Sequence, residues 1–106
     1  MSRLPPISEE SLNESQKKVL KAIQDGPRGE IPLTGPFAVW VKAGKLGDTI
    51  QKCGASLRYE TELDEIVKEM VICCVGYPYK AQFAFSYHSQ LALDDGLSEK
   101  LIINLT

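Results

Sequence analysis

The chain reads as all-α, and three observations lead there. Apolar residues recur at three- and four-residue spacing in segment after segment, helix-capping residues stand ahead of several of them, and no stretch alternates with the period of two of a half-buried strand. A length of 106 residues fits one domain around one core, expected to run over residues 1–106.

The first helix is expected to start at Asn13 in LNESQKKVLKAIQDG. Asparagine caps well, Gln16 holds the capping-box position, and Val19, Leu20 and Ile23 make the buried stripe. Gly26 and Pro27 stop it, RGEIPLTG reads as a loop, and Pro36 suits the first turn of a short helix, PFAVWVKA. A third helix, KLGDTIQKCGASLRY, places Leu46, Ile50, Cys53 and Leu57 on one stripe, with Gly47 and Gly54 as weakening residues. Thr61 is the expected cap of a fourth helix in ELDEIVKEMVICCVG. Its β-branched run would also suit a strand, but length and the Glu and Lys content favour helix. GYPYK is a turn, AQFAFSYHSQLALDD is a fifth helix closed by Gly96, and Ser98 caps a last helix in EKLIINL.

Composition narrows the function classes. Twelve Lys and Arg against fourteen Asp and Glu leave a net charge of −2, so no basic footprint for nucleic acid exists. No apolar run approaches the roughly 20 residues of a membrane helix. MSRLPPISEE carries prolines and glutamates where a secretion signal needs an apolar stretch, so a cytoplasmic location is the expectation. Cys53, Cys73 and Cys74 are odd in number and form no Cys-x-x-Cys pair. Neither a disulfide framework nor a structural zinc site is signalled, and no metal or cofactor is expected.

Two ionisable residues fall on core faces. Glu69 lies three residues after Ile66 and four before Cys73, inside the apolar stripe of the fourth helix. His88, the only histidine, sits in the middle of the stripe Ala81, Ala84, Phe85, Leu91 and Ala92 on the fifth. The short connection predicts an antiparallel hairpin. Seven residues before Gly76 and nine after Tyr79 put the two groups roughly 10 and 13 Å from the turn at ~1.5 Å per residue, close enough to meet. A coupled carboxylate and imidazole can move a proton near neutral pH; the same pair can equally serve as a hydrogen-bonded core contact that fixes helix register.

The order of motifs resembles the carboxymuconolactone decarboxylase family, an all-α group that includes the alkyl hydroperoxide reductase D-type (AhpD-like) proteins. The resemblance rests on DGPRGEIPLTGPF (25–37), LRYETELDEIVKEMVI (57–72) with Glu69, and YHSQLALDDGLSEKLI (87–102) with His88, and covers most of the chain. It implies a helical bundle around a core hairpin, with Glu69 and His88 as catalytic residues acting on a small anionic organic substrate in decarboxylation or lactone chemistry. Two positions depart from the family. Redox members carry a Cys-x-x-Cys ending four residues before the histidine, where Ala81 and Ala84 stand here, so a thiol peroxidase or disulfide reductase lacks its nucleophile. Decarboxylase-like members tend to carry Glu-Trp at the places of Ala84 and Phe85; Phe85 keeps the aromatic wall.

Arg28 and Arg58 are candidates for holding an anionic substrate, because a guanidinium grips a carboxylate in two places. Trp40 reads as core or as pocket lining, and Tyr59, Tyr77, Tyr79 and Tyr87 are equivalent candidates for a hydroxyl. Cys73 shares a face with Glu69 and reads as a small buried hydrophobe or a reactive thiol. Leu101, Ile102, Ile103 and Leu105 need a covering surface, so a homo-oligomer is expected, or else a chain cut from a longer one. A non-catalytic scaffold that has lost part of its site is the remaining expectation.

Overall fold

The computed structural model describes residues 3–106 as two compact units that divide after Thr61. Six α-helices follow a single 3-10 turn at Glu9–Ser11, and no strand occurs among the described residues. The helices are α1 (Glu14–Gln24), α2 (Gly35–Lys42), α3 (Lys45–Tyr59), α4 (Glu65–Gly76), α5 (Gln82–Asp94) and α6 (Glu99–Asn104). The chain is therefore all-α, as its periodicity implies.

In the first unit, α1 begins with the expected capping box. Gln16 N donates to Asn13 Oδ1 at 2.9 Å, and Asn13 N donates to Gln16 Oε1 at 3.0 Å. Val19, Leu20 and Ile23 are buried and pack with Leu12 and Val41, while Ile7, Ile31 and Leu33 close the edge of this core. Ile7 N donates to Leu33 O at 3.1 Å, which ties the N-terminal segment to the loop before α2. Pro36 stands in the first turn of α2, as its fixed φ allows.

The expected stripe of α3 is turned to the surface. Leu46, Ile50 and Leu57 are 64%, 43% and 61% exposed and Cys53 is exposed, whereas Gly47, Gln51 and Ala55 are buried. The reason is steric. A Cβ at Gly47 would stand 1.7 Å from the carbonyl oxygen of Trp40 and 2.5 Å from its carbon, so α3 meets the α2 backbone directly through this glycine. Close backbone approach fixes which face turns inward, and the apolar side chains on the other face stay outside. On that inward side Asp48 accepts from Lys52 Nζ at 2.7 Å and from Gln51 Nε2 at 3.0 Å, and both bonds hold its carboxyl below the usual range.

In the second unit, α4 and α5 form the antiparallel hairpin. Its turn is closed by Ala81 N donating to Gly76 O and Lys80 N donating to Tyr77 O, both at 2.9 Å, with Lys80 in left-handed backbone at φ 54°. Helix α4 starts later than expected, with Asp64 as its N-cap. Thr61 does not cap it; its hydroxyl donates instead to Leu57 O at the end of α3. Gly96, at φ 102°, ends α5, and the Ser98 side chain accepts from Leu101 N at the start of α6. Ala92, Leu97 and Ile102 form the core of this unit, with Ile66, Met70, Phe85 and Leu93 packed against it. Ile102 is thus covered within its own unit, while Leu101 and Ile103 remain 46% and 62% exposed.

Gly47→Ala forces a methyl into the Trp40 carbonyl. Unfolding monitored by circular dichroism in urea should show a loss above ~3 kcal/mol, well beyond the usual overpacking cost, or no folded first unit at all. Ala tolerated at position 47 with less than ~1 kcal/mol lost contradicts the α2–α3 geometry.

Candidate functional site

The hairpin brings Glu69 and His88 together. His88 Nδ1 lies 2.6 Å from Glu69 Oε2, so one hydrogen is shared between imidazole and carboxylate. Glu69 is fully buried and the His88 side chain is 22% exposed. Helix periodicity accounts for this local arrangement: each residue sits on the stripe its helix turns toward the other, at matching depth from the turn. With Nδ1 occupied by Glu69, the second ring nitrogen, Nε2, has no partner among the described residues and is not sealed from solvent. A carboxylate that fixes one imidazole nitrogen and leaves the other at an opening is a general-base geometry, since the carboxylate sets the tautomer and steadies the imidazolium that forms.

The Tyr87 ring stands edge-on to the His88 ring at 5.2 Å and stacks on Phe83 at 6.3 Å. Of the four tyrosines, Tyr87, which precedes the histidine in sequence, is the one whose ring contacts it. Tyr77 instead meets Phe85, with ring centroids 5.7 Å apart. Phe85 is half-buried and packs with Met70 against the core of the second unit. A shallow apolar cavity of about 420 Å³ opens on the same hairpin nearer the turn, lined by residues that include Val71, Val75, Tyr79, Ala81 and Ala84. Its wall at Ala84 lies one helical turn before His88.

Cys73 is fully buried on the Glu69 face. Burial, and then the neighbouring Glu69 and Cys74, push its thiol up, with only a hydrogen bond with Ser89 acting the other way. A thiol held protonated is a poor nucleophile. Glu65, Glu69 and Asp95 bring one carboxylate oxygen each within 4.8 Å of one another, a grouping with the donor chemistry for a hard cation. Lys68 Nζ already lies 2.5 Å from Glu65, and the His88 imidazole is hydrogen-bonded to Glu69, so two of the three carboxylates have partners within the protein. Sequence periodicity gave no sign of this grouping, because Asp95 stands beyond the end of α5 and reaches Glu69 only through the hairpin.

Arg28 and Arg58 belong to the first unit. The Arg28 guanidinium is surrounded by aromatic rings, including that of Trp40, while Arg58 is half-buried in the last turn of α3.

No family model, no curated protein and no solved structure matches this chain. No helix among the described residues is long and apolar enough to cross a membrane.

The three thiols should separate by reactivity. In the native protein Cys53 and Cys74 are exposed and should react with a thiol reagent promptly, whereas Cys73 should react only after denaturant is added. Prompt native labelling of Cys73, identified by peptide mapping, contradicts both its burial and its raised pKa.

Proposed function

We propose that the chain is an enzyme of the carboxymuconolactone decarboxylase type, in which Glu69 and His88 transfer a proton on a small anionic organic substrate. The observation that carries this reading is the 2.6 Å contact between His88 Nδ1 and the buried Glu69 carboxylate, with Nε2 free of any partner among the described residues and not sealed from solvent. In decarboxylation the bond to the departing CO2 breaks and its electron pair enters a conjugated carbonyl. The imidazole, having taken a proton from water at Nε2 beforehand, gives that proton to the carbon, while Glu69 holds the ring in place throughout. In lactone chemistry the same nitrogen removes a proton next to the carbonyl. Phe85 enters this reading as the aromatic wall it offers in the family resemblance.

A thiol peroxidase is the weaker alternative. Ala81 and Ala84 supply no sulfur, and Cys73 is buried with its thiol pushed up. A scaffold reading has a specific observation in its favour: Met70 and Phe85 pack against the core, and the apolar cavity ends one turn short of His88.

Incubation with a carboxylated γ-lactone such as carboxymuconolactone, followed by measurement of CO2 release and of deuterium incorporation from heavy water, tests the proposal. Glu69→Gln and His88→Gln, checked for folding by circular dichroism, should each lower turnover by about 10² or more. Turnover equal to the parent's in a folded H88Q protein removes His88 from the mechanism, and equal incorporation in E69Q removes Glu69.

The partner we propose is a second copy of the chain. Leu101 and Ile103 on α6 and the row Val67, Val71 and Val75 on α4 are exposed apolar residues, and homo-oligomers commonly bury such faces. Sedimentation should give a mass at least twice the 11.7 kDa of one chain, reduced to that of a monomer by Val71→Glu. A monomeric parent at high micromolar concentration overturns this part.

A further inference from the structure

Arg28 follows Gly26 and Pro27 in the loop between α1 and α2, and its guanidinium is enclosed by three rings. Its Cζ lies 5.8 Å from the Phe37 centroid, 5.4 Å from Trp40 and 5.7 Å from Tyr59. Phe37 and Trp40 stand edge to face at 5.3 Å on α2, and Tyr59 comes from the last turn of α3. Gly54 in mid-α3 makes room for the cation, because a Cβ there would lie 3.1 Å from Arg28 Nη2. A glycine that weakens the helix is thus matched by a guanidinium lying against it.

Rings attract a cation without neutralising it, and they take the place of none of the acceptors that its in-plane N–H donors call for. Those donors have no acceptor here. No carboxylate among the described residues comes within 4.0 Å of Arg28, and its Nε is buried with no hydrogen-bond partner. Lys17, Lys21, Lys52 and Lys68 each have a carboxylate at 3.4 Å or less. Arg28 is therefore oriented by packing and lacks the one partner its chemistry calls for. Its Nη atoms are not sealed from solvent, so the open edge of the fork is the side an anion meets.

We propose that Arg28 is a receptor for the carboxylate of a small organic acid with an apolar body. The fork supplies two parallel donors that match a carboxylate, and Phe37, Trp40 and Tyr59 supply the apolar surface for the remainder of the ligand. A bare inorganic anion can use the charge but not the rings. All five residues lie in the first unit, so this site stands independently of the acid–base reading of Glu69 and His88.

Trp40 is the only tryptophan, so its emission reports on the ring surround directly. The full chain is titrated with cyclohexanecarboxylate, inorganic phosphate and chloride at constant ionic strength, following Trp40 fluorescence and the Arg28 Nε–H resonance. Cyclohexanecarboxylate should give a saturable change in both signals, phosphate should bind at least about tenfold more weakly, and chloride should give none. Arg28→Lys keeps the charge and loses the fork, and should weaken binding about tenfold or more. His88→Gln should leave the titration unchanged, which separates this site from the proposed acid–base centre. The absence of a saturable response in the parent overturns the proposal, as does equal affinity for phosphate or unchanged affinity in a folded R28K protein. If R28K does not fold, the resonance titration of the parent decides alone.

Discussion

The second unit depends on one contact made in a dry place, the hydrogen bond between His88 and a Glu69 side chain with no exposure. A carboxylate removed from water is costly unless polar partners replace the hydration it loses. That requirement couples α4 to α5 more specifically than apolar packing can. Sliding one helix by a single residue turns its stripe by about 100° and carries the partner away. Register, depth and facing are thus set together by a pair that is also the chemically capable feature of the hairpin. Burial strengthens the carboxylate's hold on the ring, and the partial exposure of His88 keeps the other nitrogen available.

The first unit is organised by closeness of backbones. Gly47 lets α3 rest on the Trp40 carbonyl, and Gly54 admits the Arg28 guanidinium beside the rings of Trp40 and Tyr59. Both glycines reduce intrinsic helix stability by up to about 1 kcal/mol each relative to alanine. Gly47 provides a separation between backbones that no side chain permits, and Gly54 leaves room for the Arg28 guanidinium that a methyl would crowd. The consequence reaches the surface, since the face carrying Leu46, Ile50 and Leu57 is turned outward once Gly47 is turned in.

The two units therefore use charge in different ways. One buries an acid with its base and leaves a ring nitrogen without a partner among the described residues. The other surrounds a cation with π faces and leaves its donors without an acceptor. Cys73, beside the first of these, has been made inert by the same burial that strengthens its neighbour's hydrogen bond. A thiol mechanism and a Glu–His mechanism consequently pull in opposite directions at this position: desolvation suppresses the thiolate while it reinforces the carboxylate–imidazole contact.

By itself the sequence determined the all-α class, the Asn13 capping box, the Gly96 stop, the buried Val19, Leu20 and Ile23 face, and the meeting of Glu69 with His88. These follow from local rules of period, capping and a short turn, which act over a few residues. Tertiary structure alone decided the inward face of α3, the N-cap of α4 at Asp64, the neighbourhood of Asp95 and Glu69, and the rings around Arg28. Each of those rests on atoms brought together from separate elements, and there steric fit overrides apolar periodicity. A glycine that reads as a flaw along the chain becomes, across it, the only residue that fits.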